Sequence, residues 1–236
     1  MKIAVIGATG GTGKKVIERA LEAGHDVIAV ARRPEAVKGA DRVVIRRGDV
    51  YDGASMVDAL SGAEAVISCI GPPSSITAGS AAKQGLLDNL KAGMQVMAAN
   101  FSPGTVMSEG MSNIVAACQR TGVSRLVMQS GINLTDGKEL SWGNRLAVGT
   151  MRRIFWRAIR DKAIAERSVM GSGLEWVIVR ASVLQFADGT LDYTAGPAAR
   201  ISPLRALAFA DCADCLVRAA TSEPTWVRTI VNVGRR

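Results

Sequence analysis

The first residues in the chain that could do chemistry are glycines. Gly7-Ala8-Thr9-Gly10-Gly11-Thr12-Gly13 follows a short apolar run, Ile3–Ile6, and leads into a helical stretch from Lys14. A dinucleotide pyrophosphate needs a tight turn, a backbone it can approach closely and free amides at a helix N-terminus. Gly7, Gly10 and Gly13 meet those needs, and Thr9, Gly11 and Thr12 complete the loop. A glycine triplet gains this meaning from its place after a strand and before a helix; without it, the same residues read as a flexible turn. The second apolar run ends Val30-Ala31-Arg32-Arg33-Pro34. An acidic residue here would hold the ribose hydroxyls of NAD, whereas an arginine fork suits a 2′-phosphate. Arg32 and Arg33 therefore predict NADPH (NADP) as the cofactor, against the plainer reading of solvated loop charge. Asp49, in Gly48-Asp49-Val50, either caps the following helix or accepts from the adenine amine, and Val50 is grouped with it on the cofactor side.

The elements that must hold these residues are short and alternate in kind. Ile3–Ile6, Val27–Ala31, Val43–Arg46, Ala65–Ile70, Arg125–Gln129, Trp176–Arg180 and Arg228–Val233 predict strands. Between them Gly13–Ala23, Ser55–Leu60, Met107–Thr121, Arg145–Met170 and Asp211–Thr221 have helical length and spacing. The strands are unbroken apolar runs, as in a parallel sheet covered on both faces. The expected fold is therefore α/β, a Rossmann-like doubly wound parallel sheet. No repeat, linker or charge block divides the chain, so residues 1–236 read as one domain. Segments near 72–104 and 183–205 are expected on the substrate side.

Composition limits what else the protein can be. With 236 residues, 48% of them hydrophobic, the chain can bury a sizeable core and is not a disordered sequence. His25 is the single histidine, which removes most metal-site and Ser-His-Asp designs, and no metal site is expected. A net charge of +8 and a pI near 9.7 favour anionic partners such as a phosphorylated small molecule. Only 4% of the residues are aromatic, too few for a base-stacking platform. No stretch has the composition of a membrane span, and the N-terminus is too short in apolar length for a signal peptide. These features predict a cytoplasmic protein acting on a small-molecule substrate, with neither nucleic acid nor membrane as partner, as a monomer or homodimer. Cys212-Ala213-Asp214-Cys215 spells C-x-x-C, but residues 212, 215, 216 and 219 form an apolar helical stripe, which reads as core. Arg152, Arg153, Arg157, Arg160 and Arg167 read as a solvated helix face. Met94, Met97, Met107 and Met111 line a pocket or fill the core.

The loop GATGGTG, the ARRP turn, the GDV triplet, ISCIG at the fourth strand and SGLEWVIVRASVL near residue 180 resemble an atypical short-chain dehydrogenase/reductase. More narrowly, they resemble the NAD(P)H-binding branch that contains flavin and biliverdin-type reductases and NmrA-like redox sensors. The likeness spans the chain except for roughly residues 72–104. It implies a serine after the fifth strand, matched by Ser130, and a Tyr-x-x-x-Lys on the following helix. Lys162 matches the lysine, but Ala158 holds the tyrosine position and can donate no proton. The resemblance makes Ser130 and Lys162 the catalytic candidates and gives both a place at the nicotinamide; a turn serine and a snorkelling lysine are the alternatives. It also implies backbone contacts to nicotinamide at Gly71-Pro72 and at Ala181-Ser182-Val183, where Ala181 replaces the usual proline. Hydride transfer needs no tyrosine, and the resemblance to the flavin and biliverdin-type reductase branch implies NADPH-dependent reduction of a conjugated acceptor such as a flavin, quinone or tetrapyrrole. The alternative is an NADP(H)-sensing regulatory or assembly protein without turnover.

Overall fold

A computed structural model describes residues 1–37, 41–71, 104–134, 155–202 and 205–236, together with 146, 149, 150 and 153. In chain order, β1 (Lys2–Ile6), α1 (Gly11–Glu22), β2 (Asp26–Ala31), β3 (Val43–Arg47), α2 (Gly53–Leu60) and β4 (Ala65–Ser68) form the first half. α3 (Ser108–Thr121), β5 (Arg125–Gly131), α4 (Trp156–Met170), β6 (Glu175–Ala181), β7 (Leu184–Gln185), β8 (Thr194–Gly196), β9 (Leu207–Ala208), α5 (Phe209–Thr221) and β10 (Thr229–Gly234) follow.

The main sheet runs β3-β2-β1-β4-β5-β6-β10-β8, parallel throughout except where β8 pairs antiparallel with β10. Its apolar strands are unbroken because helices cover both faces. Val16 and Ala20 of α1 and Cys212 and Leu216 of α5 pack on Val5, Ile67 and Val127. On the opposite face Met56 of α2, Met111 and Ile114 of α3 and Val169 of α4 pack on Ile28, Leu126 and Ile178. Each large apolar side chain so buried contributes roughly 1.5–3 kcal/mol, which is why the two faces, rather than helix propensity, set the layer order. The doubly wound α/β expectation is borne out.

The differences lie at ends and edges. β4 stops at Ser68 rather than Ile70, and α2 starts at Gly53 because the Asp52 side chain accepts from Ala54 N (3.0 Å) and Ser55 N (3.3 Å). Of the helix expected over 145–170, Trp156–Met170 is α4, while most of 145–154 lies outside the described residues. The segment 183–205 carries β7 and β8, two- and three-residue strands too short to show alternation. Cys212 and Cys215 are buried on α5, and Met107 and Met111 are core residues. Arg153, Arg157, Arg160 and Arg167 are exposed; Arg152, Met94 and Met97 fall outside the described residues, as does nearly all of 72–104.

Candidate nucleotide-binding cleft

Strand order reverses at β1, whose neighbours are β2 and β4, and a cleft of about 740 Å³ opens there along the carboxyl edge of the sheet. Such a reversal is where open α/β sheets bind ligands, because the two flanking connections leave the sheet in opposite directions. The glycine loop forms its floor. Gly7 has φ +83, and a Cβ on it would lie 2.9 Å from the Cys69 carbonyl oxygen at the end of β4. Gly13 is tighter still: a Cβ there would stand 2.1 Å from the Gly7 carbonyl oxygen. The turn closes by Gly10 N donating to Gly7 O at 3.0 Å. Gly10 caps α1 with no side-chain partner, and the first turn of that helix holds no acidic residue. Its leading amides have no acceptor within the helix, so they and the helix dipole offer a site to an anion. Gly7, Thr9, Gly10, Gly11 and Thr12 line the cleft; Gly13 sits behind them, fixing the loop against itself.

At the β2–β3 end the cleft is lined by Arg32, Val50 and Tyr51, and Arg32 is shared with an adjoining cavity of about 350 Å³. That smaller cavity is also lined by Arg47, Asp49 and Asp52. Arg33 lies on neither wall; it is exposed and precedes the short 3₁₀ turn Pro34–Ala36. Arg46 is engaged elsewhere, donating to the carbonyls of Asp58, Ala59 and Ser61 at 3.3, 3.1 and 2.6 Å. Of the two roles open for Asp49, helix capping belongs instead to Asp52. The Asp49 carboxylate accepts from Tyr51 N at 3.1 Å, an Asx turn that brings Val50 and Tyr51 to the cleft.

The other end is lined by Gly71, Gln129, Leu184, Phe186 and Phe209. The Phe186 and Phe209 rings lie 4.5 Å apart and pack over Gly11, whose Cβ would meet them at 3.0–3.2 Å. Ser130 does not line this cleft. It points to the α4 side of the sheet and donates its hydroxyl to Glu166 Oε1 at 2.6 Å. Arg180 grips the same carboxylate from β6, Nη2 to Oε2 at 2.6 Å and Nε to Oε1 at 3.2 Å. Lys162 is half-buried beside this group, and Ala158 is buried one turn before it on α4. Ala181 ends β6, and Ser182 is tied to β10 through its amide, which donates to Val233 O at 3.0 Å. The Val183 side chain is exposed, outside the cleft wall.

The model of a family described as NAD(P)H-binding matches residues 7–223. The chain belongs to that family. An uncharacterized chloroplastic protein of Arabidopsis thaliana is 29% identical over 191 residues, which cover 78% of this chain. The chain spans 59% of that relative's length. Among solved structures, an anaerobillin reductase of Escherichia coli O157:H7 superposes with a TM-score of 0.73 at 19% identity, covering 100% of this chain and 97% of the other. A short-chain dehydrogenase/reductase of Veillonella parvula in complex with NADP gives 0.71 at 17% identity, covering 99% and 94%. An oxidoreductase of Lactococcus lactis gives 0.71 at 18%, covering 100% and 91%. These likenesses show the fold shared by NAD(P)H-binding oxidoreductases. Among the described residues no helix is long and apolar enough to cross a membrane.

For a member of the NAD(P)H-binding family, the surprises of the site are its long-range partners. Glu166 stands four residues after Lys162, and Arg180 interrupts the apolar run of β6; a charge inside a buried strand is itself a signal that a countercharge must be near. Phe186 and Phe209 carry no such signal, since nothing in segment 183–209 is periodic. Burial pushes the Lys162 ammonium below its ordinary value of 10.5, with Arg180 adding to the fall and Glu166 and Asp161 opposing it. A pKa lowered by folding means fewer protons bound in the folded state, so stability rises with pH between the lowered value and 10.5. Lys162→Met should raise the melting midpoint of the ligand-free protein at neutral pH, and the gain should fade as pH climbs towards the ordinary lysine value. A midpoint difference that does not change with pH would contradict a desolvated lysine.

Proposed function

We propose that this family member is an NADPH-dependent reductase of a small conjugated acceptor, a flavin, quinone or similar ring. The observation that carries the reading is the joint wall of the cleft: a glycine loop with free helix amides at one point and Arg32, shared with its side cavity, at another. Those groups fit a dinucleotide, since an anion meets amides where no acidic side chain competes. When bound, NADPH supplies the hydride. The chain's part is to hold and orient: Gly7, Thr9, Gly10, Gly11, Thr12 and Gly13 form the pyrophosphate cradle and Arg32 meets the 2′-phosphate, with Arg33 as its weaker companion. Asp49 and Val50 border the adenosine, and Gly71, Ala181, Ser182 and Val183 border the nicotinamide through their backbone. Phe186 and Phe209 pack over the loop at Gly11. Ser130 and Lys162 orient the reacting rings from the α4 side, in a cytoplasmic protein acting as a monomer or homodimer.

Ala158 favours a second reading, a dinucleotide-sensing protein without turnover, because the position offers no proton donor. Rates of NADPH oxidation against a panel of flavins and quinones separate the two: oxidation of at least one ring supports the reductase, and none across the panel removes it. In either case Gly10→Val should weaken NADPH binding about tenfold, or 1.4 kcal/mol, by setting a branched side chain in the anion's path. Unchanged affinity by calorimetry would move the nucleotide away from the loop.

A further inference from the structure

Serine has one hydroxyl proton, and where it goes decides what the residue can offer a ligand. In this protein Ser130 Oγ lies 2.6 Å from Glu166 Oε1, and both residues are buried. Glu166 is in turn held by the fork of Arg180, which ends its reach at 2.6 Å from Oε2. Ser130 and Arg180 are register partners on β5 and β6, so the strand pairing itself aims both at the α4 carboxylate. A carboxylate so paired can only accept. The Ser130 proton therefore points at Glu166, and the lone pairs are what the hydroxyl has left for anything else.

We propose that Glu166, clamped by Arg180, is a positioning residue that makes Ser130 a hydrogen-bond acceptor, so the ring that takes the hydride must present an N–H or O–H to this serine rather than a carbonyl oxygen. The inference rests on the proposed reading that the bound acceptor reaches Ser130, which lies behind the cleft wall next to its lining residue Gln129. It adds a selection rule that Ala158 reinforces. With no tyrosine hydroxyl and the serine proton already committed to Glu166, a carbonyl at Ala158 and Ser130 meets no hydroxyl donor and only the Lys162 ammonium is near, whereas a ring N–H finds the Ser130 lone pairs. Glu166→Gln should invert the rule. The amide keeps one accepting oxygen, which Arg180 claims, and turns an N–H towards Ser130; the serine proton is then free to face the ligand.

The test is equilibrium binding to protein saturated with NADP⁺, using riboflavin, which has a ring N–H, and menadione, which has only carbonyl oxygens. The quantity read is the preference for riboflavin over menadione. Ser130→Ala should lower it by up to about tenfold, the scale of one hydrogen bond between neutral groups. Glu166→Gln should lower it further, by strengthening menadione, yet change nothing when added to Ser130→Ala. If Glu166→Gln does not fold, Ser130→Ala, which leaves the Glu166–Arg180 pair in place, carries the test alone. A preference untouched by Ser130→Ala, or no binding of riboflavin, overturns the proposal. So does a Glu166→Gln effect that persists without Ser130. NADPH oxidation is followed separately: its absence alongside the predicted preference removes the reductase reading only, while oxidation with an unmoved preference removes this one only.

Discussion

Gly13→Ala is expected to abolish dinucleotide binding and to remove more than about 3 kcal/mol of stability, above the usual range for overpacking a core. The added Cβ would stand 2.1 Å from the Gly7 carbonyl oxygen, 2.8 Å from its carbon and 3.1 Å from Ala8 Cα. All three are main-chain atoms. Gly7 has nowhere to retreat, since a Cβ on it would already reach within 2.9 Å of the Cys69 carbonyl and its φ of +83 is fixed by the turn. The strain must then pass to β1 and the start of α1, which carry the cleft. Gly11→Ala is the informative control. Its Cβ meets only the ends of Phe209 and Phe186, at 3.0 and 3.2 Å, and rings can rotate away. For a chain of 236 residues, 1 kcal/mol shifts the midpoint by roughly 2–4 °C, so Gly13→Ala should melt about 10 °C below Gly11→Ala. Midpoints within a couple of degrees of each other would refute the packing argument.

The parts of this molecule that local sequence specifies are those whose cause is local. β1, the glycine loop and α1 are legible together because strand, turn and helix start are consecutive and each needs its own residue types. The apolar runs of β5 and β6 reveal a sheet covered on both faces, since water on either side would have demanded alternation. What sequence does not reveal is pairing at a distance. Asp161 of α4 accepts from Met107 N at 3.0 Å and Ser108 N at 3.1 Å, capping α3 from 54 and 53 residues away. Asp211 likewise accepts from Thr190 N and Leu191 N, both at 2.9 Å, holding the segment that carries Phe186 to the first turn of α5. Neither contact leaves a periodic trace. The same holds for the Ser130–Glu166–Arg180 group: its members are visible singly as polar residues at strand ends and on a helix, but only the β5–β6 register and the α4 docking angle bring them within 3.2 Å.

Arg32→Asp is expected to reverse a preference for NADPH over NADH, while Arg33→Ala should leave it nearly intact. Both arginines follow β2, but Arg32 alone faces the cleft and its side cavity, where Arg47 at the end of β3 stands on another wall. The strand register pairs Ala31 with Arg47, so the two guanidinium groups leave neighbouring strands at the same edge of the sheet. Carboxylates also border this cavity, yet Asp52 and Asp49 are turned to backbone amides, Asp52 to Ala54 and Ser55 and Asp49 to Tyr51. Asp58 of α2 also borders the cavity and is exposed, so Arg32 and Arg47 are the positive groups there that an incoming 2′-phosphate can meet. A charge-assisted hydrogen bond contributes roughly 1.5–3 kcal/mol, so losing Arg32 should cost NADPH at least about tenfold in affinity. Aspartate adds repulsion against the phosphate and offers the ribose hydroxyls of NADH an acceptor, so the ratio of dissociation constants should swing by about a hundredfold or more. Arg47→Ala should reproduce a part of the loss without helping NADH. Because both arginines are exposed, the wild-type preference should shrink as salt is raised. The decisive measurement is the NADPH/NADH ratio for wild type, Arg32→Asp and Arg33→Ala at low and high salt. Equal affinities in the wild type, or an Arg33→Ala effect as large as that of Arg32→Asp, would defeat the assignment of Arg32 while leaving that of the glycine loop intact.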